Sequence, residues 1–166
     1  MSLDGFIARK DGGIDWLDAV PNPEAFDYGY VDFYNSVDVT LMGNNTYKKV
    51  ISFDFDFPYQ RTKNYVFSRS DKGNTEYVSF IGKDATAFVK KLKKASGKDI
   101  WLIGGGKLNT ELLNKGLIDE LILTIIPVIL GDGIPLFEKD AKEQFFHLVK
   151  SRAFDNGILQ TRYVKK

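Results

Sequence analysis

The stretch that most constrains this chain is Asp99-Ile100-Trp101-Leu102-Ile103-Gly104-Gly105-Gly106-Lys107-Leu108. An apolar run stops at three consecutive glycines, and a segment of helical character, Asn109 to Lys115, follows. That order predicts a buried strand, a tight turn and a helix start. Residues without a Cβ permit positive φ and let another group approach the backbone. The first N–H groups of a helix lack intrahelical acceptors and favour an anion such as a pyrophosphate. The glycines are also compatible with plain packing of helix against sheet. The triplet matches neither the GxGxxG dinucleotide fingerprint nor the P-loop with its Lys-Ser/Thr.

A length of 166 residues supplies one domain with a substantial core, and we expect a single domain over 1–166. A formal net charge of +1 gives no global field toward nucleic acid or a membrane. Lys90, Lys91, Lys93 and Lys94 fall in a segment, Asp84 to Ala95, whose Ala87, Phe88, Lys91 and Leu92 recur at helical spacing. They read as the solvated face of an amphipathic helix. Cysteine is absent, which removes disulfides and thiolate metal sites. No apolar run approaches the roughly 20 residues of a membrane span, and nothing resembles a signal peptide. The expectation is a soluble cytoplasmic protein. The single histidine, His147, lies in a predicted late strand and reads as structural, so no histidine triad or zincin site is built around it. Proton chemistry then falls to carboxylates, tyrosines or water.

Other strand-to-turn junctions recur along the chain. Val37 to Met42 is β-rich and ends at Gly43, and Asn44, Asn45 and Thr46 offer caps for a helix through Ile51. Lys63 to Phe67 is a strand closed by Ser68-Arg69-Ser70, where hydroxyls flank an arginine able to fork onto phosphate oxygens. The same triplet is also an ordinary polar turn. Glu24 to Ser36 places Phe26, Tyr30, Phe33 and Tyr34 near one helical face, with Asp27 and Asp32 as departures. Further strands are predicted at Glu76–Ile81, Ile118–Pro127, Gln144–Phe154 and Ile158–Val164, the last two flanking Asp155-Asn156-Gly157, a hairpin signal. Strands alternating with helices and then an antiparallel finish predict an α/β fold. Its sheet is mixed and mostly parallel, flanked by helices, with an antiparallel C-terminal hairpin. Ligands in such sheets collect at the carboxyl ends of strands. Gly43, Ser68-Arg69 and Gly104 to Gly106 all lie at such ends.

Five segments occur in an order that resembles a known family. They are Ser-Leu-Asp-Gly-Phe-Ile-Ala (2–8), Asp15-Trp16-Leu17, Leu41-Met42-Gly43 with Thr46-Tyr47, Trp101 to Gly106, and Pro127 to Phe137. Together they resemble the dihydrofolate-reductase-like superfamily. The branch is the one similar to the reductase domain of the bifunctional riboflavin-biosynthesis deaminase/reductase. The resemblance implies an NADPH-dependent oxidoreductase that passes hydride to a pterin-like or ribosylaminopyrimidine-like substrate. It implies that Ala8 lies along the nicotinamide and that Gly43, Asn44, Asn45 and Thr46 meet the diphosphate and adenosine side. Ser68 and Arg69 would sit near the 2′-phosphate, and Gly104, Gly105, Gly106, Lys107 and Leu108 would wrap the pyrophosphate. A cis peptide often joins the first two glycines in the family. Trp16, Asp27 and Thr124 would face the substrate, with Asp27 or its water supplying the proton. The resemblance also implies a homodimer, and the apolar and aromatic richness of Phe53–Tyr59 and Ile125–Leu136 would suit an interface.

The chain departs from the family pattern at three places. Asn44 stands where the family usually has arginine, so NADPH preference leans on Arg69 and nearby lysines and NADH stays open. The residues around Asp27 match a pterin-orienting carboxylate poorly, and Asp32 competes for that role. The family usually has an apolar strand before Ser-Leu-Asp-Gly, whereas here that segment follows Met1 directly, and we expect a clipped strand, a misassigned start or another segment in its slot. A ribose phosphate on the substrate would need a further cation, for which Lys10, Lys48 and Arg61 are candidates. Readings from other classes are a non-catalytic nucleotide-binding module and a structural homodimer with a degenerate site.

Overall fold

Residues 1–82, 84–95 and 97–166 are described in a computed structural model. In chain order they form β1 (Phe6–Ala8), a 3-10 turn (Asp15–Leu17), α1 (Tyr30–Ser36), β2 (Val37–Gly43), α2 (Asn44–Val50), β3 (Lys63–Phe67) and β4 (Val78–Ile81). There follow α3 (Ala85–Leu92), β5 (Asp99–Gly104), α4 (Gly106–Asn114), β6 (Glu120–Ile125), β7 (Ile134–Pro135), β8 (Phe146–Ala153) and β9 (Leu159–Lys165). The contacts divide the chain into a unit of Asp27–Asn109 and a unit of Met1–Phe26 with Thr110–Lys166.

In the Asp27–Asn109 unit the strand order is β4-β3-β2-β5, and every pair is parallel. Parallel strands need crossovers, and α2 and α3 supply two of them. β2 is buried at Val37 and from Val39 through Met42, as expected for a strand covered on both faces. Met42, Val66 and Val78 form its core, with Tyr47, Phe57, Tyr59, Tyr77, Phe80 and Ile103 packed around them. The aromatic, proline-bearing loop before β3 folds inward. Phe57 stacks on Tyr77 at 5.5 Å, and Tyr59 meets Trp101 edge-on at 5.3 Å. Burial pushes the Tyr59 phenol up to about 12, so the ring packs as a neutral group.

One polar cluster lies inside this core. Thr40 donates from Oγ1 to Asn64 Oδ1 at 2.6 Å, and Thr62 donates to the same oxygen at 2.9 Å. Asn64 Nδ2 donates to the carbonyls of Tyr59, Thr62 and Tyr77 at 2.9, 2.9 and 3.0 Å. The side chain thus links β2, β3 and the approach to β4.

The helix expected from Glu24 starts later, at Tyr30. Asp27 turns the chain first, its oxygens accepting from the N–H of Gly29 at 2.9 Å and of Val31 at 3.0 Å. Tyr28 and Gly29 have positive φ, which interrupts any helix there. Tyr30, Phe33 and Tyr34 keep the aromatic face, with Phe33 edge-on to Trp101 at 5.1 Å.

In the other unit, β6, β9 and β8 form an antiparallel sheet in that order, and β1 pairs antiparallel with β7. Two stretches that stood far apart in the sequence meet here. Asp4 accepts from Ser2 Oγ at 2.6 Å and from the N–H groups of Leu130 and Gly131 at 3.1 and 2.7 Å. A Cβ on Gly133 would stand 2.3 Å from the Ala8 carbonyl oxygen, so only glycine lets the strands close. The predicted C-terminal hairpin is present. Gly157, at φ +85°, closes it, its N–H donating to the Phe154 carbonyl at 2.9 Å. Asn156 donates from Nδ2 to the Pro21 carbonyl at 3.1 Å and accepts from the Ile158 N–H at 3.4 Å. Phe26 packs against Phe154 at 5.7 Å.

No helix among the described residues is long and apolar enough to cross a membrane.

Candidate functional site: a glycine-walled cradle at the strand ends

The carboxyl ends of β5, β2 and β3 stand side by side. Met42 is opposite Gly104, and Gly43 is opposite Phe67, the residue before Ser68. All three junctions picked out in the sequence therefore open at one edge of the parallel sheet, where α/β folds hold ligands.

The Gly104–Gly105 peptide is cis, as the resemblance implied, and Gly104 has φ +119°, a conformation open to glycine. A Cβ on Gly43 would lie 3.8 Å from the Gly104 carbonyl oxygen, and one on Gly105 would lie 3.3 Å from Thr46 Oγ1. The β2–α2 and β5–α4 junctions are thus near neighbours, and the Thr46 hydroxyl faces the glycine turn. Gly106 begins α4, whose Lys107 side is exposed and whose Leu108 is buried. Asn109 donates its N–H to the Gly105 carbonyl at 3.0 Å.

Asn44, Asn45 and Thr46 do not cap α2 as expected. Gly43 holds the N-cap position without a side-chain bond, and the three residues lie in the first turn. Extended Gly43, at ψ 159°, runs straight from strand to helix and leaves their side chains for other partners. Asn45 is exposed. Asn44 reaches to Asp71, a residue that the sequence reading passed over. Its Nδ2 donates to Asp71 Oδ2 at 2.6 Å, while Ser68 and Ser70 each donate a hydroxyl to that oxygen at 2.8 Å. The Asp71 N–H in turn donates to Ser68 Oγ at 2.9 Å. The Ser68 and Ser70 hydroxyls, then Asn44 and the charge of Lys48, hold the Asp71 carboxyl below the usual range. It is an anion near neutral pH. Asn44 Oδ1 is buried and has no hydrogen-bond partner among the described residues. An orphaned acceptor beside a glycine-walled turn fits a ligand that donates a hydrogen bond there. Arg69, expected beside Ser68, is exposed.

The RibD C-terminal domain family matches residues 1–160. The chain belongs to that family. It is 42% identical over 166 residues to the uncharacterized protein YwjB of Bacillus subtilis (strain 168), across 99% of this chain and 94% of that one. A putative riboflavin biosynthesis protein from Shewanella sp. PV-4 is similar in structure, with a TM-score of 0.90 and 35% identity over 100% of this chain and 95% of that chain. The diaminohydroxyphosphoribosylaminopyrimidine deaminase/5-amino-6-(5-phosphoribosylamino)uracil reductase from Thermotoga maritima shares the fold at 16% identity. There the TM-score is 0.70, and the match covers 99% of this chain and 54% of that one.

The remaining candidate residues of this RibD C-terminal domain fall as follows. Ala8 ends β1 and is buried, its carbonyl against Gly133. Trp16 is buried in the 3-10 turn, and its indole Nε1 has no hydrogen-bond partner among the described residues. The turn is closed from outside by Arg9, whose Nε and Nη2 donate to the two oxygens of Asp15 at 2.8 and 2.9 Å. Thr124, on β6, accepts from Gln160 Nε2 at 3.2 Å, its direct partner on β9. Asp27 is exposed, and the N–H groups of Val31 and Gly29 hold its carboxyl below the usual range. A carboxyl so placed accepts hydrogen bonds near neutrality and is a poor proton donor. Of the cations considered for a substrate phosphate, Lys10 is paired with Asp132, and Arg61 lies over the Tyr34 ring at 4.7 Å.

Proposed function

We propose that this chain is a reductase that uses a reduced nicotinamide dinucleotide to transfer hydride to a pterin-like or ribosylaminopyrimidine-like ring. The observation that carries the reading is the convergence of Gly43–Thr46, Ser68 and Gly104–Gly106 at adjoining strand ends. Membership of the RibD C-terminal domain family supports it.

The nicotinamide, when bound, supplies the hydride. The protein's part is to hold the dinucleotide and exclude water. Gly104, Gly105 and Gly106 with Thr46 would hold the diphosphate, with Lys107 and Leu108 continuing that wall, and Asn44 and Ser68 would meet the adenosine side. The resemblance would put Ala8 along the nicotinamide and Trp16 toward the substrate, and the Trp16 N–H, without a partner among the described residues, would be a donor for a ring carbonyl or nitrogen. Thr124 offers a hydroxyl oriented by Gln160. Asp27, an anion, orients a substrate amine or a water and leaves protonation to solvent.

The test is a titration of the purified protein with reduced dinucleotide, followed by nicotinamide fluorescence, and then a screen of pterins and ribosylaminopyrimidines for oxidation of the bound cofactor. Binding with turnover supports the reductase. Binding without turnover on any such ring returns the chain to the class of nucleotide-binding modules. Absence of binding in a folded sample removes the dinucleotide altogether.

A further inference from the structure

We infer that Asp71, together with Asn44, makes this cradle select the free ribose of NADH over the 2′-phosphate of NADPH. The inference rests on the reductase reading above and specifies its cofactor.

The resemblance put the 2′-phosphate near Ser68 and Arg69, while the Ser68-Arg69-Ser70 triplet by itself read equally as a polar turn. The structure commits those hydroxyls elsewhere. Ser68 and Ser70 both give their protons to Asp71 Oδ2 at 2.8 Å, so neither remains a donor for a phosphate oxygen. The side chain at the position where the family usually carries arginine is Asn44, and one of the two N–H donors of its amide goes to the same oxygen at 2.6 Å. That fixes the amide orientation. An ionised carboxylate only accepts, so the atom facing it must be the NH2 group, and the carbonyl end is Oδ1. Asn44 Oδ1 is then the buried atom without a partner. The second oxygen of Asp71 receives no hydrogen bond among the described residues either.

The corner therefore offers acceptors and negative charge. A ribose hydroxyl donates to acceptors, and a carboxylate is the group that dinucleotide sites of other folds place against the 2′-hydroxyl. A phosphate ester there is an acceptor and an anion. It would confront Asp71 across a short distance and leave Asn44 Oδ1 unsatisfied. Lys48 lies close enough to help hold Asp71 ionised, so part of its charge is already answered. Arg69 is exposed and remains the one residue of the original assignment with its donors uncommitted among the described residues.

The experiment compares Kd values for NADH and NADPH on the full chain, by nicotinamide fluorescence and calorimetry, with no substrate present. The expected result is NADH tighter by about tenfold or more. Asp71→Asn keeps a side-chain acceptor and removes the charge, and should cut that ratio at least about fivefold through a gain in NADPH affinity. Should that variant fold poorly, competition on the native chain reads the same preference, with ADP displacing NADH better than 2′,5′-ADP does. NADPH binding tighter than NADH and weakened by Arg69→Ala would overturn the inference and restore the phosphate corner, with the reductase reading intact. An NADH preference that Asp71→Asn leaves unmoved in a folded protein would overturn the role of Asp71. If neither dinucleotide binds, the reductase reading falls and the inference falls with it.

Discussion

Trp16 carries a polar atom that the fold buries and does not use. An indole N–H without a partner costs on the order of 1–3 kcal/mol in desolvation. Trp16→Phe removes that cost while losing some packing. The expected change in stability is within about 2 kcal/mol, read from a urea transition with unchanged slope. If the N–H faces a ligand, the same variant weakens binding of substrate or dinucleotide. Unchanged binding would make Trp16 a core residue only. Single side chains are also less legible in the sequence than strands and helices. Gly43, Ser68 and Gly104 to Gly106 were visible because glycine and strand-end hydroxyls mark junctions. Asp71 was not, because an acidic residue after Ser-Arg-Ser looks like solvent-facing turn chemistry until its three donors are placed. Asp27 was picked as a helical carboxylate. It lies before the helix because its oxygens hold the N–H groups of Gly29 and Val31.

Among the elements, β2 and β3 were legible from their apolar runs, and β3 falls at Lys63–Phe67 as read. What the pattern did not reveal is that a polar side chain links them. Asn64 is buried and fills both its donor and acceptor capacity on β2, the preceding loop and Tyr77. Asn64→Leu would strand the Thr40 hydroxyl and free the Tyr59 and Tyr77 carbonyls inside the core. The expected loss is on the order of 3 kcal/mol or more, measured by chemical denaturation. A change below about 1 kcal/mol would mean that water replaces the lost partners. The helix at Glu24–Ser36 was read too long for a related reason: aromatic spacing carries no information about Tyr28 and Gly29 adopting positive φ.

For the whole molecule, the order of the five motifs made the fold legible, since stretches such as Ser2–Ala8 and Pro127–Phe137 keep their spacing in order to meet. Assembly is less visible. We propose a homodimer, as the resemblance implied. Of the two surfaces suggested for it, Phe57 and Tyr59 pack inward, while Phe55 and Ile129 stay 60% and 71% exposed. Leu148 and Val149, on the edge strand β8, are 54% and 52% exposed, an apolar edge that a lone chain would leave open to pairing. Sedimentation equilibrium is expected to give twice the chain mass, and Leu148→Lys to shift it toward one. A single chain mass across the micromolar range would end the proposal.

The Asn156–Gly157 turn carries a consequence for the chemical ageing of the protein. Asn-Gly sequences deamidate when the glycine nitrogen attacks the asparagine side-chain carbonyl. Here that N–H is held by Phe154, and the Asn156 amide is held by Pro21 and Ile158. The folded hairpin holds both groups in hydrogen bonds, and opening of β8 from β9 frees them together. Aspartate and isoaspartate accumulating at position 156 in a stored sample are therefore a clock, recording the time this hairpin has spent open.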